Sequence, residues 1–201
     1  MILVLALLAQ TAGLEADDSK AALTCLGAAR PANRIGMPPL RSASQATYYL
    51  LQSVAAPGRE QFMQRLSQAA RTGAADVSHT PEATSAILAA CEQRFPKVRV
   101  EGPVALPADA FDRDLMCLAE LNLFGGAASR HNEETGDRTQ LDRAFGLLAK
   151  YRARLTPGRY AANGLPDAAA QERAFGDQMV AALELGPPDA IVASCETAAA
   201  S

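Results

Sequence analysis

The strongest constraint on this chain is that its four cysteines lie in two pairs of similar sequence phrases. The phrase LTCLGA at 23–28 is echoed by LMCLAE at 115–120, and ILAACE at 87–92 is echoed by IVASCE at 191–196. Each half of the chain therefore carries one phrase of each kind, in the same order. This layout predicts an internal duplication in which each half forms one structural unit.

The same layout predicts how the cysteines pair. Four cysteines allow three pairings, and one bridge within each half gives Cys25 with Cys91 and Cys117 with Cys195. Closing such long loops stabilises a fold by roughly 4 kcal/mol per bridge in the chain-entropy model. A zinc site competes with this interpretation, but zinc ligands usually occur as close pairs, and no two of these cysteines are neighbours. Buried free thiols are the alternative for a cytosolic chain.

The first residues of the chain indicate export. An uninterrupted apolar run, ILVLALLA at 2–9, is followed by small and then acidic residues, the order typical of a secretory signal peptide. No Lys or Arg precedes the run, and a short buried helix or an uncleaved anchor are the alternatives. The anchor is disfavoured because about 20 Å of helix is too short for a bilayer core of about 30 Å. We predict a signal peptide at 1–13 and a periplasmic or extracellular protein.

Composition and apolar spacing predict an all-α fold. Alanine makes up about a fifth of the 201 residues and tryptophan is absent, so the core must form between closely approaching helices. Helix starts are predicted near Asp17 or Ser19, at Thr80-Pro81 and at Asp167, where good capping residues lie. We expect two tandem four-helix units, each closed by one disulfide, with the following boundaries: 14–96, an extended linker at 97–107, and 108–201.

One helix of the second unit is expected to run from about 108 to 124 and to end at Gly125-Gly126. The polar stretch that follows, 127–139, then reads as an exposed loop. Its Glu133, Glu134 and Asp137 offer oxygen ligands for a hard cation, but they lack the spacing of a calcium-binding loop, and a solvated loop is the favoured interpretation. The sequence therefore predicts no metal and no cofactor.

The charge pattern excludes two classes of partner. The net charge is -3, and arginines supply nearly all of the positive charge. They are spread along the chain, whereas nucleic acids and anionic membrane surfaces require a concentrated cationic face. We predict no nucleic-acid binding and no stable membrane insertion once the signal peptide is removed.

Candidate contact residues are few. Arg59 and Arg159 each follow a Pro-Gly turn, where they could hold an anionic ligand, satisfy carbonyls at a helix end, or pair with an acid. Tyr48 and Tyr49 could line a groove between helices, although a place at the edge of the core is preferred. His79 and His131 are isolated and are expected at the surface.

The chain lacks the common catalytic motifs, including the nucleophile elbow, the P-loop and the zinc-protease signature. The leading hypothesis is therefore an exported helical protein that acts by binding, with another protein as the expected partner. The alternatives are an enzyme that uses carboxylates such as Glu120, Glu133 or Glu134 with an arginine, and a small-molecule carrier with an apolar cavity between helices. The oligomeric state is left open by the sequence.

Intact mass of the exported protein, measured with and without reductant before alkylation, tests both the export and the disulfide predictions. We expect a mass lacking the first 13 or so residues, with all four thiols blocked until reductant is added. Alkylation of the native protein, or a mass that retains the leader, would contradict them.

Overall fold

The computed structural model describes residues 14–30, 36–55, 61–72 and 80–200, and every regular element in these ranges is helical. The predicted all-α fold is thus confirmed, whereas the predicted signal peptide lies outside the described residues. None of the described helices has the length and apolar run needed to cross a bilayer. The helices are α1 (Asp18–Ala29), α2 (Pro39–Ala55), α3 (Phe62–Thr72), α4 (Pro81–Arg94), α5 (Ala110–Thr135), α6 (Thr139–Arg154), α7 (Pro157–Ala162), α8 (Ala168–Ala182) and α9 (Pro188–Ala200), with a 3₁₀ turn at Pro96–Arg99.

The three predicted helix starts are confirmed by their capping geometry. Asp17, Thr80 and Asp167 all have extended backbone, and each side-chain oxygen accepts a hydrogen bond from the backbone N–H three residues later. Each cap satisfies one of the N–H groups that a helix start leaves without a partner. The polar residue before each apolar stretch therefore locates α1, α4 and α8 from sequence alone.

The predicted end of the α5 helix was wrong. The helix continues through Gly125-Gly126 to Thr135, so the stretch predicted as an exposed loop at 127–139 is largely helical. Two glycines inside a helix cost about 1 kcal/mol each relative to alanine, but continuing the helix buries Ala127 and Ala128 almost completely. The true stop is Gly136, whose left-handed backbone (φ +75°) lets its N–H bond to Asn132 O at 2.8 Å.

The predicted number of helices in the second half was also wrong. The turn at 156–158 ends α6 as expected, but it also starts the short helix α7, because Thr156 caps it and Pro157 occupies its first position. The second half therefore has five helices among the described residues. The linker at 97–107, which was predicted to be extended, begins instead within the 3₁₀ turn at Pro96–Arg99, where Val98 is buried, and irregular chain follows.

Both predicted disulfides are present. Cys25 on α1 is bonded to Cys91 on α4, with their Cα atoms 5.7 Å apart, and Cys117 on α5 is bonded to Cys195 on α9, with 5.6 Å between the Cα atoms. The bridges close loops of 66 and 78 residues. Each one ties the first helix of its half to the last helix of that half, as the repeated phrases predict.

The core crosses the proposed boundary between the halves. The apolar cluster built on α1, α2 and α4 also includes Ala119, Met179 and Leu183, which belong to α5 and to the end of α8. Helix α2 packs against α5, α8 and α9. The internal duplication and its unit boundaries stay predictions, but the packing makes the two halves one structure.

A partly buried ion pair joins the halves at one end. Arg41 at the start of α2 donates from Nη1 to both carboxylate oxygens of Asp189 on α9, at 3.0 and 2.9 Å, and from Nη2 to Val98 O at 2.8 Å. Ser44 Oγ donates to Asp189 Oδ1 at 2.7 Å and accepts from Asp189 N at 2.9 Å. One guanidinium therefore links α2, the 3₁₀ turn and α9.

Removing this acid should destabilise the fold. We expect Asp189→Ala to lower the free energy of unfolding by about 2 kcal/mol or more, because it leaves a poorly solvated guanidinium without its carboxylate. Asp142→Ala is the matched control, since Asp142 also lies in the first turn of a helix but pairs with Arg138 in solvent; it should cost at most about 0.5 kcal/mol. If urea unfolding shows that both variants lose the same free energy of unfolding, the structural role of the Arg41–Asp189 pair is contradicted.

Candidate functional site

The structure places both predicted contact tyrosines in the core. Tyr48 is 1% exposed and Tyr49 0%, and the two rings meet edge to face with centroids 5.9 Å apart. Gln52 Nε2 donates to Tyr48 Oη at 3.0 Å, and burial raises the pKa of both phenols. Neither ring offers surface to a ligand, so their role here is packing.

Arg159 is also engaged inside the chain. Its Nη1 atom lies 2.5 Å from Oδ2 of Asp114, which is almost fully buried, and also donates to Arg154 O at the end of α6 at 3.2 Å. The guanidinium carbon lies 5.7 Å from the ring centroid of Phe111. Arg159 therefore makes the two contacts expected of a structural arginine, a helix-end carbonyl and a nearby acid. Its predicted counterpart, Arg59, lies outside the described residues, so the pairing of two related anion sites stays a prediction.

The three carboxylates of the enzyme alternative do not converge. Glu120 is fully buried in the middle of α5, whereas Glu133 and Glu134 are exposed near its end. The rise of an α-helix separates these positions by about 20 Å along the axis. Within the described ranges, moreover, no group of three or more His, Cys, Asp or Glu side chains is arranged to hold a metal ion.

Glu120 is the most perturbed acid in the described structure. Neither of its carboxylate oxygens has a hydrogen-bond partner, and burial alone raises its pKa to about 8. The residues one helical turn away, Met116 and Phe124, are also buried. At neutral pH the side chain is therefore mostly protonated, since a charge there would lose its hydration without compensation. The repeated phrases give a sequence signal for this burial. When they are aligned, Glu120 takes the position of Ala28, which is also fully buried.

A groove lies between α2 and the last turns of α5; we call it the α2–α5 groove. It has a volume of about 400 Å³, within the range of small-molecule sites. Its lining side chains are mainly small or aliphatic where it meets the core and charged at its edge. The described lining residues are Leu26, Arg30, Pro39, Ser42, Ala43, Ala46, Thr47, Leu50, Ala70, Arg130, His131 and Glu134.

The charged edge of the groove is not neutralised by any residue that the structure describes. Arg30 caps the end of α1, while Arg130 and Glu134 lie on α5. Among the described residues no side-chain hydrogen bond or ion pair involves any of these three side chains, although Arg130 and Glu134 are one turn apart. Two guanidinium groups and one carboxylate are thus available to a bound molecule, and they give the edge a net positive charge.

His131 completes the groove wall. Its side chain is 16% exposed, and Nε2 lies 3.7 Å from Oδ2 of Asp137, while its buried Nδ1 atom has no hydrogen-bond partner. This histidine and Arg130 fall in the stretch that was predicted as a solvated loop, so neither was predicted as a site residue. Had α5 been extended past Gly126, the spacing of Arg130, His131 and Glu134 would have placed them near one another on a single helix.

A second depression, of about 440 Å³, lies near the start of α5 and is edged by Asp109, Asp112 and Asp177. These acids already have partners. Asp109 caps α5 by accepting from two backbone N–H groups, which lower its pKa, and Asp112 accepts from Gln178 Nε2 at 3.2 Å. The depression is therefore explained by helix capping and surface hydrogen bonds.

Comparison with protein-family models, with curated proteins and with solved structures found no match to this chain.

The buried carboxyl group predicts how stability depends on pH. The pKa of Glu120 is about 8 in the folded protein against 4.5 in an unfolded chain. The contribution of this carboxyl group to the free energy of unfolding is therefore greatest below pH 4.5 and is lost as the pH rises through 8. That difference is worth on the order of 5 kcal/mol. We expect Glu120→Gln to remove this part of the dependence and to be more stable than the wild type above pH 8.

Urea unfolding at a series of pH values measures the effect as the difference between the wild type and the variant. The control is Glu133→Gln, which removes an exposed carboxylate from the same helix and should leave the profile unchanged. Parallel profiles for the wild type and Glu120→Gln would show that the carboxyl group is solvated.

Proposed function

We propose that this chain is an exported binding protein whose recognition site is the α2–α5 groove. The observation that carries the proposal is the pair of arginines, Arg30 and Arg130, which edge an apolar groove without a partner among the described residues. Both arginines are exposed, so their guanidinium groups can be reached from solvent. Two unpaired guanidinium groups beside an apolar floor provide an unused binding surface of mixed character, as is typical of ligand sites.

The scaffold holds this groove in shape before any ligand arrives. Leu26 on its floor directly follows Cys25, whose bridge to Cys91 ties α1 to α4. Next to it, Ser42 Oγ donates to Ala29 O at 2.6 Å, which joins the start of α2 to the end of α1. A preformed groove binds with a smaller entropy cost, because fewer groups have to be ordered on binding.

The polar groups of the groove support binding better than catalysis. The hydroxyl of Ser42 donates to Ala29 O, and that of Thr47 donates to Ala43 O at 2.9 Å. Both hydroxyl protons therefore go to backbone carbonyls instead of to a general base, which a hydroxyl nucleophile needs. The carboxyl group with the raised pKa, Glu120, does not line the groove.

The geometry also favours a small ligand over a docked protein. Among the described residues, the large apolar side chains that are exposed are Leu23 on α1 and Phe145 on α6. Single exposed apolar side chains are common on ordinary surfaces and do not mark an interface. The small-molecule carrier considered from the sequence is therefore the form of the binding hypothesis that we put forward.

Export is the second part of the proposal. Two disulfides are typical of proteins that function in an oxidising compartment, and the apolar run at 2–9 has the pattern of a signal peptide. Together they support a periplasmic or extracellular location, where a disulfide-stapled carrier keeps its shape without a large core.

Filling the groove tests the proposal. Ala43 lies half-buried on α2 and lines the groove, so Ala43→Trp should block it, whereas Ala149→Trp places the same side chain on an exposed position of α6. We expect native mass spectrometry of protein isolated gently from an envelope or culture fraction to show a small molecule bound one to one. That molecule should be lost from Ala43→Trp and retained by Ala149→Trp. Wild-type protein without a bound species, or a species unaffected by Ala43→Trp, would contradict the proposal.

A further inference from the structure

We propose that the α2–α5 groove binds small amphipathic acids: molecules with one carboxylate and one slender apolar arm. This inference rests on the proposed function and names its ligand class. It follows from three properties of the groove, namely the charge at its edge, the hydrogen-bonding state of its floor and its size.

The edge of the groove selects for a negative charge. Arg30 approaches from the end of α1 and Arg130 from α5, so the guanidinium groups belong to opposite walls. A guanidinium presents paired N–H donors that match the two oxygens of a carboxylate. Glu134 on the same edge leaves one net positive charge, which suits a ligand carrying a single negative charge.

The floor of the groove selects for an apolar arm. Its side chains include Leu26, Ala43, Ala46 and Leu50, of which Leu26 and Ala46 are buried. The neighbouring hydroxyls already donate to backbone carbonyls, so the floor has no free hydroxyl donor for a polar ligand. A polar group pressed against this floor would lose its hydration without a new donor, whereas a hydrocarbon arm would gain by leaving water.

The dimensions of the groove limit the ligand to a modest size. About 400 Å³ lies near the lower end of the range for small-molecule sites. The alanines at 43 and 46 on α2 leave a narrow space that a straight alkyl chain or a single aromatic ring can enter. Two probes therefore represent the two kinds of acid that fit: decanoate has an alkyl chain as its apolar arm, and 4-phenylbutyrate has an aromatic ring.

Isothermal titration calorimetry of the oxidised protein, with each acid at 150 mM salt and below its micelle concentration, tests the inference. We expect one-to-one binding of at least one acid, and much weaker binding of decanol, decyltrimethylammonium and acetate. Loss of the charge and loss of the apolar arm should each weaken binding by about tenfold or more, which corresponds to about 1.4 kcal/mol.

Variants then locate the site. The double variant Arg30→Ala/Arg130→Ala should raise the dissociation constant about tenfold or more, and Glu134→Gln should lower it about twofold to fivefold, because it removes the like charge. Arg152→Ala, at an exposed position on α6, is the matched control and should have no effect. The arginines at the groove edge are exposed, so the variants should keep the thermal unfolding midpoint of the wild type, and this is measured alongside.

Several results would overturn the inference. Absence of binding by both acids would do so, as would equal binding of decanol or decyltrimethylammonium, or acid binding that the double arginine variant leaves unchanged. These outcomes are distinguishable from failure of the proposed function. If the native protein carries a neutral or cationic molecule that Ala43→Trp displaces, the groove is a binding site with a different ligand class. If nothing is bound there at all, both proposals fail.

Discussion

The two cystines are the constraint on which this structure depends. The chain has few bulky side chains, and much of its core consists of alanines on helices that touch closely. Such a core removes little apolar surface from water per residue, so its hydrophobic stabilisation is modest. Cross-linking α1 to α4 and α5 to α9 reduces the entropy of the unfolded chain instead. The bridges thereby allow helices with small side chains to keep one relative arrangement.

The halves that the cystines close are joined by packing and by polar contacts. Helix α2 lies against α5, α8 and α9, and Arg41 bonds both to Asp189 and to the carbonyl of Val98. These bonds from the two terminal nitrogens of one guanidinium form in only one relative position of α2, the 3₁₀ turn and α9. The groove depends on that position, because one of its walls comes from α1 and α2 and the other from α5.

Two features of α5 have different physical explanations. Glu120 lies where the helix is surrounded by the core, and its lack of partners makes the neutral form the stable one. Arg130, in contrast, lies where the helix reaches solvent, and no side chain among the described residues pairs with it. A buried acid without partners affects stability, whereas an exposed cation at the edge of an apolar groove is available for recognition. This contrast is why the groove, and not the buried acid, supports the proposed function.

The helical class, the cysteine pairing and three of the helix starts follow from sequence patterns alone. Each of these depends on local rules or on the repeated phrases: alanine favours helices, a capping side chain satisfies the N–H three residues later, and the two cysteines of each half pair with each other. The end of α5 was decided by tertiary structure, because burial of Ala127 and Ala128 outweighs the local cost of Gly125-Gly126. The groove also depends on tertiary packing. Arg30 and Arg130 are a hundred residues apart, and they line the same groove only because α1 packs on α2 and α2 packs on α5. Local signals cannot report such a site, because it exists only through contacts between distant segments.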